Sequence, residues 1–235
     1  MEFDNCVAVV TGASSGIGAA TAIALARHGA TVALIARRID RLESVARDVE
    51  HAGGTAHVIP QDVRDGAGLA RAIGETAERY GRLDILINNA GFGYWERTAD
   101  ADPEQWRNEV EVNLLAPMFA TSAALVHMIA AGAGHIVNVS SLASRGPAPE
   151  GAGYAASKAG LNVFSESVLV DLNRQGIKVT LLETGEVATE MQSEQDIASI
   201  NMLAADDVAD AIMFVLTRPS HVCITDIQMF SPKAP

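Results

Sequence analysis

The sequence predicts an α/β fold: one domain built on a doubly wound parallel sheet of about seven strands, with helices on both faces. Three observations carry this. Short β-branched runs alternate with longer Ala-rich helical segments along the chain. Most of the short runs are continuously apolar, as strands buried on both faces are. A glycine-rich turn, Thr11-Gly-Ala-Ser-Ser-Gly-Ile-Gly18, joins the first run to the first helical segment. Such alternation implies right-handed parallel crossovers, which wrap helices onto both sides of the sheet.

The elements follow in order. CVAVVT (6–11) is the first strand, and a helical pattern runs over 16–29. TVALIA (31–36) and TAHVIP (55–60) are the next strands, each followed by a helical pattern, at 38–52 and 66–80. LDILIN (83–88) precedes a long helical stretch, 103–131, and HIVNVS (135–140) precedes another, 152–175. The Gly/Pro/Ala stretch 145–153 between them reads as a loop and not as a domain boundary. IKVTLL (177–182), a helix near 205–217 and VCITDIQM (222–229) complete the sheet. The 235 residues suit one such domain and are short for two.

Composition narrows the partners. Hydrophobic residues make up 49% and aromatics only 5%, which fits helices packed on a buried sheet. A net charge of −12 argues against nucleic acid. No apolar run reaches the roughly 20 residues of a membrane span, and the acidic N-terminus MEFDNC is unlike a signal peptide. Cys6 and Cys223 fall in strand-like runs and read as reduced core residues, which suits a cytoplasm. No metal site is expected.

The glycine loop offers the first chemistry. Gly12, Gly16 and Gly18 give the spacing G-x-x-x-G-x-G, not the usual dinucleotide fingerprint G-x-G-x-x-G. The physics still holds. Glycine allows backbone to approach a pyrophosphate, and the following helix presents unpaired N–H groups. At the end of the second strand, where an NAD enzyme carries an acid, this chain has Ala36-Arg37-Arg38. Two guanidiniums there suit a 2′-phosphate, so NADP is expected over NAD.

With Tyr154-Ala-Ala-Ser-Lys158, the chain resembles the short-chain dehydrogenase/reductase family, in the branch whose chains are about this long. The resemblance rests on TGASSGIG (11–18), Asp62-Val63, NNAG (88–91), Asn113, Ser141 and YAASK (154–158), in that order. It implies a Rossmann-type fold and hydride transfer between NADP(H) and a carbonyl or alcohol. It also implies that Gly12, Ser14, Ser15, Gly16, Ile17 and Gly18 cradle the cofactor. Asp62 and Val63 would contact the adenine. Asn89, Ala90 and Gly91 would line the ribose and brace the sheet, while Gly185, Val187 and Thr189 would meet the carboxamide. Asn113 would hold a water in a proton relay. Ser141, thirteen residues before Tyr154, would bind the carbonyl oxygen, with Ser140 the weaker choice. Tyr154 would be the general acid/base, and Lys158 would hold the ribose and lower the phenol's pKa. Thr184 stands where the family usually has Pro. The C-terminal stretch is similar to the subgroup of NADP-dependent hydroxy-acid/serine dehydrogenases and clavulanic-aldehyde reductases.

The substrate side is less specific. The family's substrate loop falls here at about 185–205; it is short, so any lid would be small and the pocket open. No Lys, Arg or His occurs from Val179 to Thr217, whereas Glu183, Glu186, Glu190, Glu194, Asp196, Asp206, Asp207 and Asp210 do. A neutral or cationic substrate fits that field better than an anion. Arg145 could still bind an anion. Phe92, Tyr94 and Trp95 follow NNAG, where the family places one pocket wall. The two long helices would pair copies of the chain into a homodimer or homotetramer. Two other readings stay open: a catalytically silent NADP-binding protein, and an epimerase or dehydratase.

Overall fold

A computed structural model describes residues 3–172, 174–191 and 202–232. It contains a seven-stranded parallel sheet, ordered β3-β2-β1-β4-β5-β6-β7. The strands are β1 (Val7–Thr11), β2 (Thr31–Ala36), β3 (Thr55–Pro60), β4 (Ile85–Asn88), β5 (Gly134–Ser141), β6 (Ile177–Thr184) and β7 (Asp226–Met229). The helices are α1 (Gly16–Arg27), α2 (Ile39–His51), α3 (Gly66–Tyr80), α4 (Pro103–Val110), α5 (Ala116–Ala131), α6 (Ala152–Asp171) and α7 (Ala205–Leu216). This is the Rossmann-type architecture the sequence predicts.

Successive strand residues point to opposite faces, and each face has its own core. Ala8, Val10, Val32 and Leu34 pack under α1, α2 and α7. Val7, Val9, Ala33 and Ile35 pack under α3 and α5. Local chemistry sets several helix ends. Asp65 and Asp102 cap α3 and α4 by accepting from Gly68 N and Glu104 N, and left-handed Gly81 and Gly132 end α3 and α5. The strand order reverses between β1 and β4. In doubly wound sheets ligands bind in the crevice that opens there, beyond the strands' carboxyl ends.

The structure corrects some expectations. The stretch 103–131 is not one regular helix: a π-turn, Glu111–Leu115, separates α4 from α5. The turn carries Asn113 into the protein, where it is fully buried. The stretch Pro103–Ala131 is also long and apolar enough, by length and composition, to cross a membrane. The expectation that none was missed it because Asn113, Thr121, Ser122 and His127 interrupt the apolar run of its later part, which carries no Asp, Glu, Lys or Arg. Its α5 half carries Ala116, Ala120, Ala124 and Met128 in the core, as a helix packed on a sheet does. β7 begins at Asp226, four residues later than predicted. The two cysteines are free thiols, but Cys6 is only half-buried and Cys223 is exposed, outside any strand. Thr184, where a Pro was expected, adds a residue to β6, pairing with Ser141 and Met229. The expected substrate loop 185–205 lies partly outside the described residues, with Glu194 and Asp196 among those not described.

Candidate active site

The end of β1 and the end of β4 are tied together across the crevice. Thr11 Oγ1 accepts from Asn89 N at 3.0 Å and from Ala90 N at 3.1 Å. Asn89 Nδ2 donates back to Thr11 O at 2.9 Å and Gly12 O at 3.3 Å. Gly12 takes φ +66° with Ala90 so close that a Cβ would lie 2.8 Å from its Cα. A Cβ on Gly18 would collide with the Gly12 carbonyl and Asn89 Nδ2. The loop therefore passes close to its neighbours and opens directly into α1 at Gly16.

Beyond β2, Arg37 and Arg38 line the same crevice. Arg38 is already engaged: its Nη2 donates to Ser14 Oγ at 3.1 Å, Ser15 Oγ at 3.0 Å and Glu190 Oε2 at 2.7 Å. After β3, Arg64 grips Asp62, with Nη2 to Oδ2 at 2.7 Å, and these bonds hold the carboxyl below its usual range. Arg64 also reaches Asn108 Oδ1 at 3.1 Å.

The other end of the crevice is built from β5 and α6, with Asn113 of the π-turn packed behind it. Ser141 is the last residue of β5, and its Oγ accepts from Ala143 N at 3.2 Å. Neighbouring Ser140 is turned into the protein and donates to Asn162 Oδ1 at 2.6 Å. Tyr154 and Lys158 lie one turn apart on α6, with Lys158 Nζ 5.8 Å from the tyrosine ring centroid. Lys158 is buried and donates to Val139 O at 2.9 Å. Burial lowers its ammonium to about 8. The phenol is pushed up by burial and, in the same direction, by Glu109; its hydrogen bond with Ser141 works against both. The expected net lowering of the phenol is therefore not what the structure shows. Asn113 Nδ2 donates to Phe92 O at 2.7 Å and Ser157 Oγ at 3.0 Å, and its Oδ1 accepts from Phe92 N at 2.8 Å. Its amide hydrogens are spent on protein atoms.

Arg37, Arg38, Gly12, Asp62, Arg64, Asn89, Ala90, Ser141, Tyr154 and Lys158 line one cavity of about 1250 Å³ that ends at Trp95, whereas the expected site residues Gly18 and Asn113 lie behind its wall and do not line it. Residues 6–199 match the family model described as short chain dehydrogenase. The chain belongs to the short-chain dehydrogenase family. An uncharacterized oxidoreductase of Staphylococcus epidermidis is 34% identical over 221 residues, covering 94% of this chain and 95% of that protein. A metagenomic short-chain oxidoreductase solved with NADP is 35% identical, with 97% of each chain covered and a TM-score of 0.87. The closed form of serine dehydrogenase, complexed with NADP+, is 28% identical, with 96% of this chain and 94% of that one covered and a TM-score of 0.88.

As a short-chain dehydrogenase the protein is an NAD(P)-dependent oxidoreductase. The residues fit a dinucleotide: the loop's glycines sit where a Cβ would foul the cradle, and two arginines stand at its far end. Two expected substrate residues are placed elsewhere. Arg145 is held by Glu183 (Nε to Oε2, 2.6 Å) and by Asp226 (2.7 Å), and it does not line the cavity. Tyr94 is also absent from the lining; its N donates to Glu109 Oε1 at 2.8 Å. Phe92 and Trp95 do line it, and the Trp95 ring lies 5.2 Å from that of Tyr154. Glu183 is fully buried and paired, so it adds nothing to an acidic surface. Sequence reasoning missed Gln61, Arg64, Glu109 and the pairing of Glu190. Arg64 could have been found, standing two residues from Asp62.

Proposed function

We propose that the protein is an NADP(H)-dependent carbonyl reductase or alcohol dehydrogenase. The observation that carries this reading is the convergence of Ser141 and Lys158 on the Tyr154 phenol, at the end of a cavity large enough for a dinucleotide and a small substrate. Gly12, Ser14, Ser15, Gly16, Ile17 and Gly18 would hold the pyrophosphate, Arg37 and Arg38 the 2′-phosphate, and Asp62 and Val63 the adenine. Asn89, Ala90, Gly91, Lys158, Gly185, Val187 and Thr189 would hold the nicotinamide half. When bound, the nicotinamide exchanges hydride with the carbonyl carbon.

The chain's own part is the proton and the developing charge. Tyr154 gives its proton to the carbonyl oxygen, and Ser141 donates a hydrogen bond to that oxygen as charge builds. A phenol pushed up by burial is protonated at neutral pH and is ready to serve as the acid of reduction. Lys158, with its Nζ 5.8 Å from the ring centroid, would favour by its charge the phenolate that forms. Asn113 fixes the Phe92 backbone and, through Ser157, the first turn of α6. With Arg145 turned away and Glu186 lining the cavity, a neutral or cationic substrate would suit Phe92 and Trp95 better than an anion.

Exposed Phe119, Val126 and Ile129 on α5, with Val163 and Val170 on α6, support pairing of copies into a dimer or tetramer. A cytoplasmic location belongs to this reading. A screen of aldehydes and ketones with NADPH and with NADH tests it. Oxidation of NADPH by at least one carbonyl supports the reading. A substrate altered with no change in nicotinamide absorbance, or inertness towards every carbonyl, overturns it.

A further inference from the structure

The guanidinium placed to receive a 2′-phosphate is already bound to an acid of the protein. Glu190 stands 152 residues from Arg38 in the chain, on the strap that leaves β6, and its Oε2 accepts from Arg38 Nη2 at 2.7 Å. Arg41 Nη2 lies 3.8 Å from the other carboxylate oxygen. Ser15, the residue before α1, hydrogen-bonds the same carboxylate. Arg38 hydrogen-bonds Ser14 and Ser15 from its side. The strap lies against the phosphate loop at a second point, where a Cβ on Gly16 would come 3.0 Å from Thr189 Cγ2. Ser14, Ser15, Gly16, Arg38, Thr189 and Glu190 all face the one cavity. The carboxylate is therefore held by the donors that an incoming phosphate would need. Hydrogen bonds from Arg38 keep it below its usual range, so it is charged at neutral pH.

We propose that Glu190 is an internal competitor for the nucleotide's phosphate, latching the strap Gly185–Glu190 onto Arg38 until a 2′-phosphorylated cofactor displaces it. The inference rests on reading Arg37 and Arg38 as the 2′-phosphate site. Two anions cannot share one guanidinium without repulsion, so the 2′-phosphate must pull Arg38 from Glu190 or suffer its charge. A nucleotide without that phosphate makes no such demand and leaves the latch closed. Glu190 thus lowers the affinity for NADP(H) selectively and couples its arrival to release of the strap beside the nicotinamide site. The pair is exposed, at 45% and 47% for the two side chains, so its effect is modest and screened by salt.

The test is a double-mutant cycle read by binding alone: NADPH and NADH titrated by fluorescence into wild type, Glu190→Gln, Arg38→Gln and the double variant at low salt. Glu190→Gln should tighten NADPH about two- to fivefold, as for one exposed ion pair, and leave NADH unchanged. The gain should vanish when Arg38 is already Gln. If Glu190→Gln leaves NADPH affinity unchanged or weaker while Arg38→Gln weakens it, Glu190 is no competitor and the latch is overturned. If Arg38→Gln leaves NADPH as tight as wild type, the 2′-phosphate site itself is wrongly placed, and the latch falls with it.

Discussion

At the scale of residues, Tyr154 and Lys158 share a face of α6 but sit in different surroundings. Tyr154→Phe removes one oxygen and leaves the packing with Trp95 in place. It should bind NADPH normally and lose about 10²–10⁴-fold in turnover, the usual worth of general-acid help. Turnover near that of wild type would remove Tyr154 from the mechanism. Lys158→Met removes a charge 5.8 Å from the phenol ring and, on the proposed reading, a donor to the ribose. It should lose turnover and weaken NADPH by about one to two decades. A fluorescence titration showing wild-type affinity would end the cofactor role. Glu109 offers a third handle. It is buried, its Oε1 accepts from Tyr94 N, and its Oε2 has no partner among the described residues. Ionised at alkaline pH, it holds the phenol proton on. Glu109→Gln should therefore move the alkaline limb of the reduction profile to lower pH, because reduction needs the protonated phenol. A limb that stays in place, or moves up, would contradict that sign. The YxxxK pair was legible because both members lie on one helix. Glu109 was not, since its approach to Tyr154 crosses from α4 to α6.

At the scale of elements, the phosphate loop and the π-turn show two kinds of constraint. Gly18 has no room for a side chain, because the Gly12 carbonyl and Asn89 Nδ2 occupy the space. Gly18→Ala should destabilise by about 1–3 kcal/mol, the range for forced overpacking. That corresponds to a fall in Tm of roughly 2–12 °C for a domain of this size, with NADPH binding weakened alongside. A variant that melts and binds like wild type would show that the loop can yield. The need for glycine was readable from the motif. The π-turn was not. The apolar pattern of 103–131 runs through it undisturbed, and only the partners of Asn113, Phe92 and Ser157, explain why one extra residue is accommodated there.

At the scale of the whole molecule, stability and assembly can be checked separately. His135 is buried on β5, hydrogen-bonded to Thr180 Oγ1 at 2.8 Å, and its imidazole is lowered to about 4 by burial. The unfolded chain takes up that proton first as pH falls. The folded state should thus lose stability between pH 6.5 and about 4, by about 3 kcal/mol from this group at most. Denaturant unfolding of wild type and His135→Gln across that window measures it. Equal pH dependence in the two would contradict it. For assembly, light scattering should give a dimer or tetramer mass, and Val126→Lys with Val170→Lys should reduce it towards the monomer. Both side chains are mostly exposed in one chain, at 67% and 73%, so the monomer's own stability should change little. A monomeric wild type would remove the predicted interface.

The sequence by itself determined the succession of strands and helices and the positions of the glycine loop and the Tyr–Lys pair, while the preference for Ser141 over Ser140 came from the family resemblance. The elements and motifs are local or periodic properties: an apolar run, a glycine-rich turn, a spacing along one helix. Only the tertiary structure decided which charges remain available. Arg145 and Glu183 look like substrate-side groups in the linear text, but the β6–β7 pairing brings Asp226 alongside and ties Arg145 to both carboxylates, with only Glu183 buried. Arg38 and Glu190 look independent, yet the crevice closes them on each other across the phosphate loop. The net direction of the phenol's pKa belongs here as well, because it depends on how much water the fold removes and on a carboxylate from another helix. Charge is written residue by residue in a sequence, but its partner and its solvent are set by the fold.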